Sequence, residues 1–401
     1  MNMILGLIVF LIPSLGMLSG LSLAPTVGGF WALLFILPFI PSWNGTGHKV
    51  LTKPIIELNG YSRAMKALGA AFLIWCLICC FWSPSILKSL KTLSLVTVFI
   101  AMGFAVSPVT KNLHKIILVS FLSGFAVAIV LFGIEYHTYG ILSTTFRSFF
   151  QPDRTDFLLS MLDRGCSFFS LSAWVVIGYL LQHNKKVAAI TIFCLSLALL
   201  FISDSLAGFV GFVLGGITFA MLWLSKKTAV IIATSIILYF GAMPIISAQM
   251  DPMKISQETD WLPFSAKHRL FIWNFTAKKA QLHDAFGYGF DSSRYIATDT
   301  DFVRYLDTDL NLLPLHPHNS VLQVKIETGW VGLTLYALLA ASVFMTIVQN
   351  SRSFSSAACF INYLFIGMVS FGIWQLWWVA SGLFIFSMIK ILVHPKPSAV
   401  E

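Results

Sequence analysis

Residues 315–349 read L-H-P-H-N-S-V-L-Q-V-K-I-E-T-G-W-V-G-L-T-L-Y-A-L-L-A-A-S-V-F-M-T-I-V-Q. The second half, residues 331–349, is an apolar run without a single charge. Its length is close to the ~20 residues that a helix needs to cross the hydrocarbon core of a bilayer. The first half gathers two histidines, an Asn, a Gln and a Glu at the mouth of that run. Polar and titratable groups are expensive in such a setting, so the cluster marks a candidate site.

Working outward, the rest of the chain has the same apolar character. Hydrophobic residues make up 57%, charged residues 11%, and the mean hydropathy is +0.82. A soluble domain carries about 25% charged residues. About twelve candidate spans follow by length, at 3–20, 26–41, 66–83, 92–107, 116–134, 165–182, 187–203, 206–224, 228–248, 331–349, 357–373 and 375–393. The expected fold class is therefore an all-α integral membrane protein. Residues 1–248 would hold nine spans and an outer loop at 135–164. Residues 249–330 would form one large loop, and 331–401 three more spans and a tail.

The net charge of +9 reads as a topology signal rather than as a nucleic-acid footprint. With the N-terminus inside, short cytoplasmic loops hold Lys49, Lys53, Arg63, Lys66, Lys111, Lys115, Lys185, Lys186, Lys226, Lys227 and Arg352, and the tail holds Lys390 and Lys396. Lys88 and Lys91 break the pattern among the short loops. Both termini are expected inside, which puts the two long loops outside. The run from Met3 to Leu18 lacks a basic leader and a small-residue cleavage site, so it reads as a retained helix. Cys76, Cys79, Cys80, Cys166, Cys194 and Cys359 fall in or beside apolar runs and read as buried thiols, with no disulfide framework.

Within the large loop, Trp261, Leu262, Phe264, Leu270, Phe271, Trp273 and Phe275 alternate with Lys267, His268, Arg269, Lys278 and Lys279. That pattern predicts one or two amphipathic helices on or between the spans. The bland alternative is a small cap without chemistry.

His318 is the first chemical candidate. A neutral imidazole can take a proton from a hydroxyl. His316, Asn319 and Gln323 are placed to orient it, although Asn319 is also a natural helix cap. Arg164, in Asp163-Arg164-Gly165-Cys166, and Arg269, in Lys267-His268-Arg269, are forks suited to phosphate. Each can equally snorkel or anchor at a membrane interface. The glycines of Gly287-Tyr288-Gly289 would permit close backbone approach. The pairs Asp299/Asp301 and Asp307/Asp309 read as solvated loop rather than as a metal site. P-loop, G-x-G-x-x-G, H-E-x-x-H and G-x-S-x-G motifs do not occur, so no cofactor and no metal are expected. Charges within spans are scarce, Asp204 being the best exception, which weighs against an ion-coupled transporter.

His318-Asn319, nine residues, then Gly329-Trp330-Val331-Gly332 resembles the histidine motif H-[N/S/Q]-x9-G-x-x-[G/T/Y] of the O-antigen ligase family. His316-Pro317 before it resembles the H-x-H-N form of the wider ligase and polymerase superfamily. Arg269-x-x-x-Trp273 resembles that family's R-x-x-x-W segment, and Arg164 its first essential arginine. Ser203-Asp204-Ser205-Leu206 departs from the family's S-R-x-x segment.

The resemblance implies a glycosyltransferase of the bacterial inner membrane whose site faces the periplasm. Its donor would be an undecaprenyl-pyrophosphate-linked glycan, and its acceptor a lipid A-core sugar hydroxyl or another glycan. It implies His318 as base and Arg164 and Arg269 on the pyrophosphate, with His316, Asn319, Gln323, Gly329 and Gly332 in support. Transfer would be metal- and ATP-independent and would invert the anomeric centre. The partners would be those glycans and membrane lipids, with no nucleic acid. An O-antigen or exopolysaccharide polymerase of the same superfamily is the nearest alternative, and a solute transporter a more distant one.

Overall fold

The computed structural model describes residues 2–18, 23–36, 62–104, 111–148, 159–203, 205–298, 300–350 and 353–393. Within them lie α1 (Asn2–Leu18), α2 (Leu23–Ile36), α3 (Arg63–Cys79), α4 (Ile86–Phe104), α5 (Lys111–His137), α6 (Ile141–Ser148), α7 (Asp163–Gln182), α8 (Lys186–Ile202), α9 (Leu206–Leu224) and α10 (Thr228–Gln249). After these come α11 (Pro252–Glu258), α12 (Phe264–Leu282), the strands β1 (Phe302–Tyr305) and β2 (Thr308–Asn311), then α13 (Ser320–Asn350), α14 (Ser355–Val369) and α15 (Leu376–Met388).

The protein is an all-α integral membrane protein, as the apolar runs require. Among the described residues, eight helices are long and apolar enough to cross a membrane, and four shorter apolar helices accompany them. These coincide with the runs marked in the sequence, with two displaced starts. α4 begins at Ile86 rather than near 92, and α13 begins at Ser320 rather than near 331. The first half of α13 is too polar for an apolar window to detect, and it is covered by protein instead: Gln323, Lys325, Glu327 and Thr328 are all buried.

Two apolar clusters make the core. One joins α1, α2, α5, α7 and α15; the other joins α3, α10, α13 and α14. Helices in an apolar solvent gain little from burying more carbon, so close packing decides their contacts. Gly165, next to Arg164, lies against the Met17 backbone where no side chain would fit.

The stretch expected to form one or two amphipathic helices forms a single helix, α12, which is not amphipathic: Lys267, Asn274 and Thr276 are buried along with Phe271 and Ile272, and α11 lies before that stretch. Asp251 caps α11, its Oδ1 accepting from the Met253 and Lys254 amides. Asn274 of α12 donates to the Ser247, Ala248 and Met250 carbonyls, pinning that helix to the end of α10. The β1–β2 hairpin was not foreseen. Its turn residues Leu306 and Asp307 have φ of 48° and 58°, the mirror-image turn that matches strand twist.

Candidate active site

One end of the bundle collects the start of α4, the start of α7, the end of α10, α12, the start of α13 and the α14–α15 connection. The sequence Leu315-His316-Pro317-His318-Asn319 crosses this end and turns into α13. Asn319 caps the helix, its Oδ1 accepting from the Val321 and Leu322 amides at 3.0 Å each. The structure thus gives Asn319 the capping task open to it from its type. Immediately before it, His318 has φ 52°, a left-handed conformation uncommon for a side chain of this size. That backbone turn sets the two imidazoles together, with ring centroids 4.3 Å apart.

The two histidines are held differently. His316 is buried with both ring nitrogens engaged: Nδ1 accepts the His318 amide at 3.2 Å, and Nε2 lies 2.9 Å from the Gln375 side-chain nitrogen. His318 Nδ1 donates to the Ser370 carbonyl at 2.6 Å, which leaves Nε2 with a lone pair and no protein partner among the described residues. Burial pushes His318 down to about 4 and His316 to about 3, so both rings are neutral near pH 7. Positive neighbours act the same way. His316 feels Arg294, Arg164 and Arg269, and His318 feels Arg269.

The structure therefore brings the charges of Arg164 and Arg269 to bear on the histidine pair, from two helices distant in sequence, α7 and α12. Arg164 is exposed at the start of α7, its guanidinium 5.8 Å from the Trp377 ring centroid. Arg269 is partly buried on α12, where desolvation lowers its pKa and the charge of Asp163 opposes the shift. One turn along α12, Trp273 Nε1 donates to the Pro317 carbonyl at 3.1 Å. The R-x-x-x-W segment thus presents its cation and braces the histidine turn from one helix face.

Beneath the histidines lies a carboxylate to which the sequence reading assigned no role. Glu327 is fully buried and accepts from the amides of Asp291 and Ser293, the Ser293 hydroxyl, Trp374 Nε1 at 2.6 Å and Gln323 Nε2 at 3.1 Å. Gln323 Oε1 in turn accepts the Ile373 amide at 2.9 Å. One carboxylate therefore ties the 291–293 loop and the 370–375 loop to α13.

Gly287, Gly289 and Gly329 make these approaches possible. Gly329 (φ 68°, ψ −167°) breaks α13 where a Cβ would run into the Ala285 carbonyl, and the Trp330 amide reaches the Asp284 carbonyl at 3.0 Å. Gly332 gives room to the Thr328 and Trp75 side chains.

Arg294 also escaped the sequence reading, since nothing in Asp291-Ser292-Ser293-Arg294 marks it. The acid pairs have local tasks: Asp301 Oδ2 accepts from the Thr298 amide and hydroxyl, and Asp307 sits in the hairpin turn 3.6 Å from Arg304. Among the described residues no three His, Cys, Asp or Glu side chains converge as a metal site would require. Asp204 and Asp299 lie outside the described residues.

A histidine on a left-handed turn, a Gly-broken helix behind it and an R-x-x-x-W helix bracing it make one spatial unit. Residues 191–337, which include most of that unit, match the family model described as O-antigen ligase. Over nearly its whole length the chain is also similar to curated proteins of Rickettsia. It is 37% identical to one of Rickettsia conorii, covering 98% of each chain, and 39% identical to one of Rickettsia typhi, covering 97% of each. Both are described as "Putative polysaccharide ligase". The chain belongs to the O-antigen ligase family. Membership makes it a ligase-type membrane glycosyltransferase acting on glycans, and gives the buried histidine turn a chemical context.

Proposed function

We propose that this protein is an O-antigen ligase that moves a glycan from undecaprenyl pyrophosphate to a sugar hydroxyl of a lipid A-core acceptor, on the periplasmic face of the inner membrane. The observation that carries the reading is the state of His318. Its Nδ1–H is committed to Ser370, its Nε2 is free, and its ring is neutral beside cations. That is a general base facing a place where negative charge is wanted.

In the step itself, His318 Nε2 takes the acceptor hydroxyl proton. The oxygen attacks the anomeric carbon and forms the new C–O bond. The bond from that carbon to the pyrophosphate oxygen breaks, and its electron pair leaves on the lipid pyrophosphate. Arg164 and Arg269 hold that leaving group, with forks suited to phosphate oxygens. Displacement from the opposite face inverts the anomeric configuration. The linkage is already activated, so the step uses no ATP. His316 is the positioning partner, because both its nitrogens are engaged where those of His318 are not.

The test is transfer of glycan between purified lipids in proteoliposomes, comparing wild type with His318→Ala. Loss of transfer with the donor still bound supports the reading, and full transfer by the variant overturns it. In a deletion strain, bare core with accumulated lipid-linked polymer supports a ligase. Core carrying a single repeat unit would instead make the protein a polymerase.

A further inference from the structure

The structure explains why Lys88 and Lys91 break the charge pattern of the short loops. At the helix ends of the bundle, Arg63, Lys66, Lys111, Lys115, Lys185, Lys186, Lys226 and Lys227 all fall at the end away from His318. Lys88 and Lys91 fall at the His318 end, in the first two turns of α4. A helix N-terminus disfavours cations, and the first turn of α4 has no acidic residue to offset them. Both lysines are exposed, and neither has an ion-pair partner among the described residues.

The start of α4 docks on the loop that carries Arg294. Ser89 Oγ donates to the Phe290 carbonyl at 2.7 Å, and Thr92 Oγ1 donates to Asp291 Oδ2 at 2.8 Å. The other oxygen of Asp291 lies 3.4 Å from Arg294 Nη2, which fixes that half-exposed guanidinium beside α4. Lys88 Nζ sits 5.5 Å from the Tyr295 ring centroid, and its hydrogen bond lowers the pKa of the phenol. Lys88, Arg294 and the Tyr295 phenol thus share one rim with a single carboxylate, Lys91 lies one turn along α4 from Lys88, and one of the cations, Arg294, is felt by His316.

We propose that Lys88, Lys91 and Arg294 form a second anion site, separate from Arg164 and Arg269, that takes a phosphate monoester carried by the lipid acceptor. Its assignment to the acceptor rests on the transfer reading above. In-line displacement needs the attacking hydroxyl on the far side of the anomeric carbon from the pyrophosphate. The proposed site puts the acceptor's approach past α4, away from the donor phosphates on α7 and α12, and a charge at that rim sets its register. Tyr295 supplies a hydroxyl to the same group.

Binding can be measured without any chemistry, using His318→Ala protein in phosphatidylcholine nanodiscs, with dihexanoyl phosphatidic acid as the probe and inorganic phosphate as the comparison. Adding Lys88→Gln/Lys91→Gln should weaken binding of the lipid by roughly tenfold or more. Lys91→Gln alone, which removes a side chain without an ion-pair partner, should give a smaller loss. Arg164→Gln/Arg269→Gln should weaken that binding less than the lysine pair does. Equal affinity in the lysine variants, or an equal loss in the arginine variant, overturns the second site. Inorganic phosphate binding as tightly as the lipid overturns the lipid source. None of these outcomes depends on glycan transfer, so they separate this site from the reading of His318 as base.

Discussion

His318 reaches 2.6 Å across to the backbone carbonyl of Ser370, from the turn before α13 to the connection between α14 and α15. This bond commits Nδ1–H and leaves Nε2 as the basic nitrogen, a tautomer decided by the fold rather than by the solvent. His316 is denied the same freedom by the His318 amide and by Gln375.

Removing the base should therefore cost more than removing its neighbour. His318→Ala is expected to lower the transfer rate by about 10²–10⁴-fold, the range for a lost general base. His316→Gln should lose less, because it positions rather than accepts the proton. Initial rates in proteoliposomes at saturating donor distinguish the two.

The pH dependence has a defined sign. Burial holds His318 at about 4, below its ordinary value, so the ring loses its basic lone pair only as the pH falls through that point. The acid limb of kcat/KM should lie there. The Arg269 charge adds to the lowering, so Arg269→Gln should move the limb upward. Bound pyrophosphate offsets the same charge, so the acid limb of kcat should lie above that of kcat/KM. A limb that stays put in Arg269→Gln would show that this arginine does not act on the histidine.

Geometry at the phosphate matters as well as charge. Arg164→Lys and Arg269→Lys keep the charge but lose the planar fork. Each is expected to raise the KM for the donor and to lower kcat, with donor titrations as the readout. Donor kinetics unchanged in both variants would remove the arginines from the pyrophosphate.

Glu327 is a structural hub under the site. Glu327→Ala strands five donor groups from four residues in a fully buried place. With orphaned buried donors costing about 1–3 kcal/mol each, the loss should be at least about 3 kcal/mol. A lowered Tm in detergent, together with loss of transfer, is the expected outcome. Glu327→Gln keeps one acceptor oxygen and should fall between the two.

Gly329→Ala tests the break in α13. Its φ of 68° and the Ala285 carbonyl both oppose a Cβ, at a cost of about 2 kcal/mol or more. The variant should lose thermal stability and shift the 283–286 turn that α13 holds through Asp284. Unchanged Tm would mean that the turn yields easily.

The apolar runs by themselves determined the membrane class and located the helices, because a bilayer asks only for length and the absence of charge. The motif from His318 to Gly332 could likewise be read from its spacing, since a turn and a cap are local events that residue type controls. Asn319 as cap is of this kind, whereas Gly329, read only as a motif position, breaks α13 where the Asp284 and Ala285 carbonyls arrive. What only the tertiary structure decided are the partners that arrive from elsewhere in the chain. Ser370 fixes the tautomer of His318, Gln375 engages His316, and Glu327 gathers loops from both sides of α13. Arg294 and Lys88 reach one rim through the Asp291–Thr92 and Phe290–Ser89 bonds. Such meetings depend on helix packing and on which backbone groups burial leaves in need of a partner, and no linear spacing encodes that.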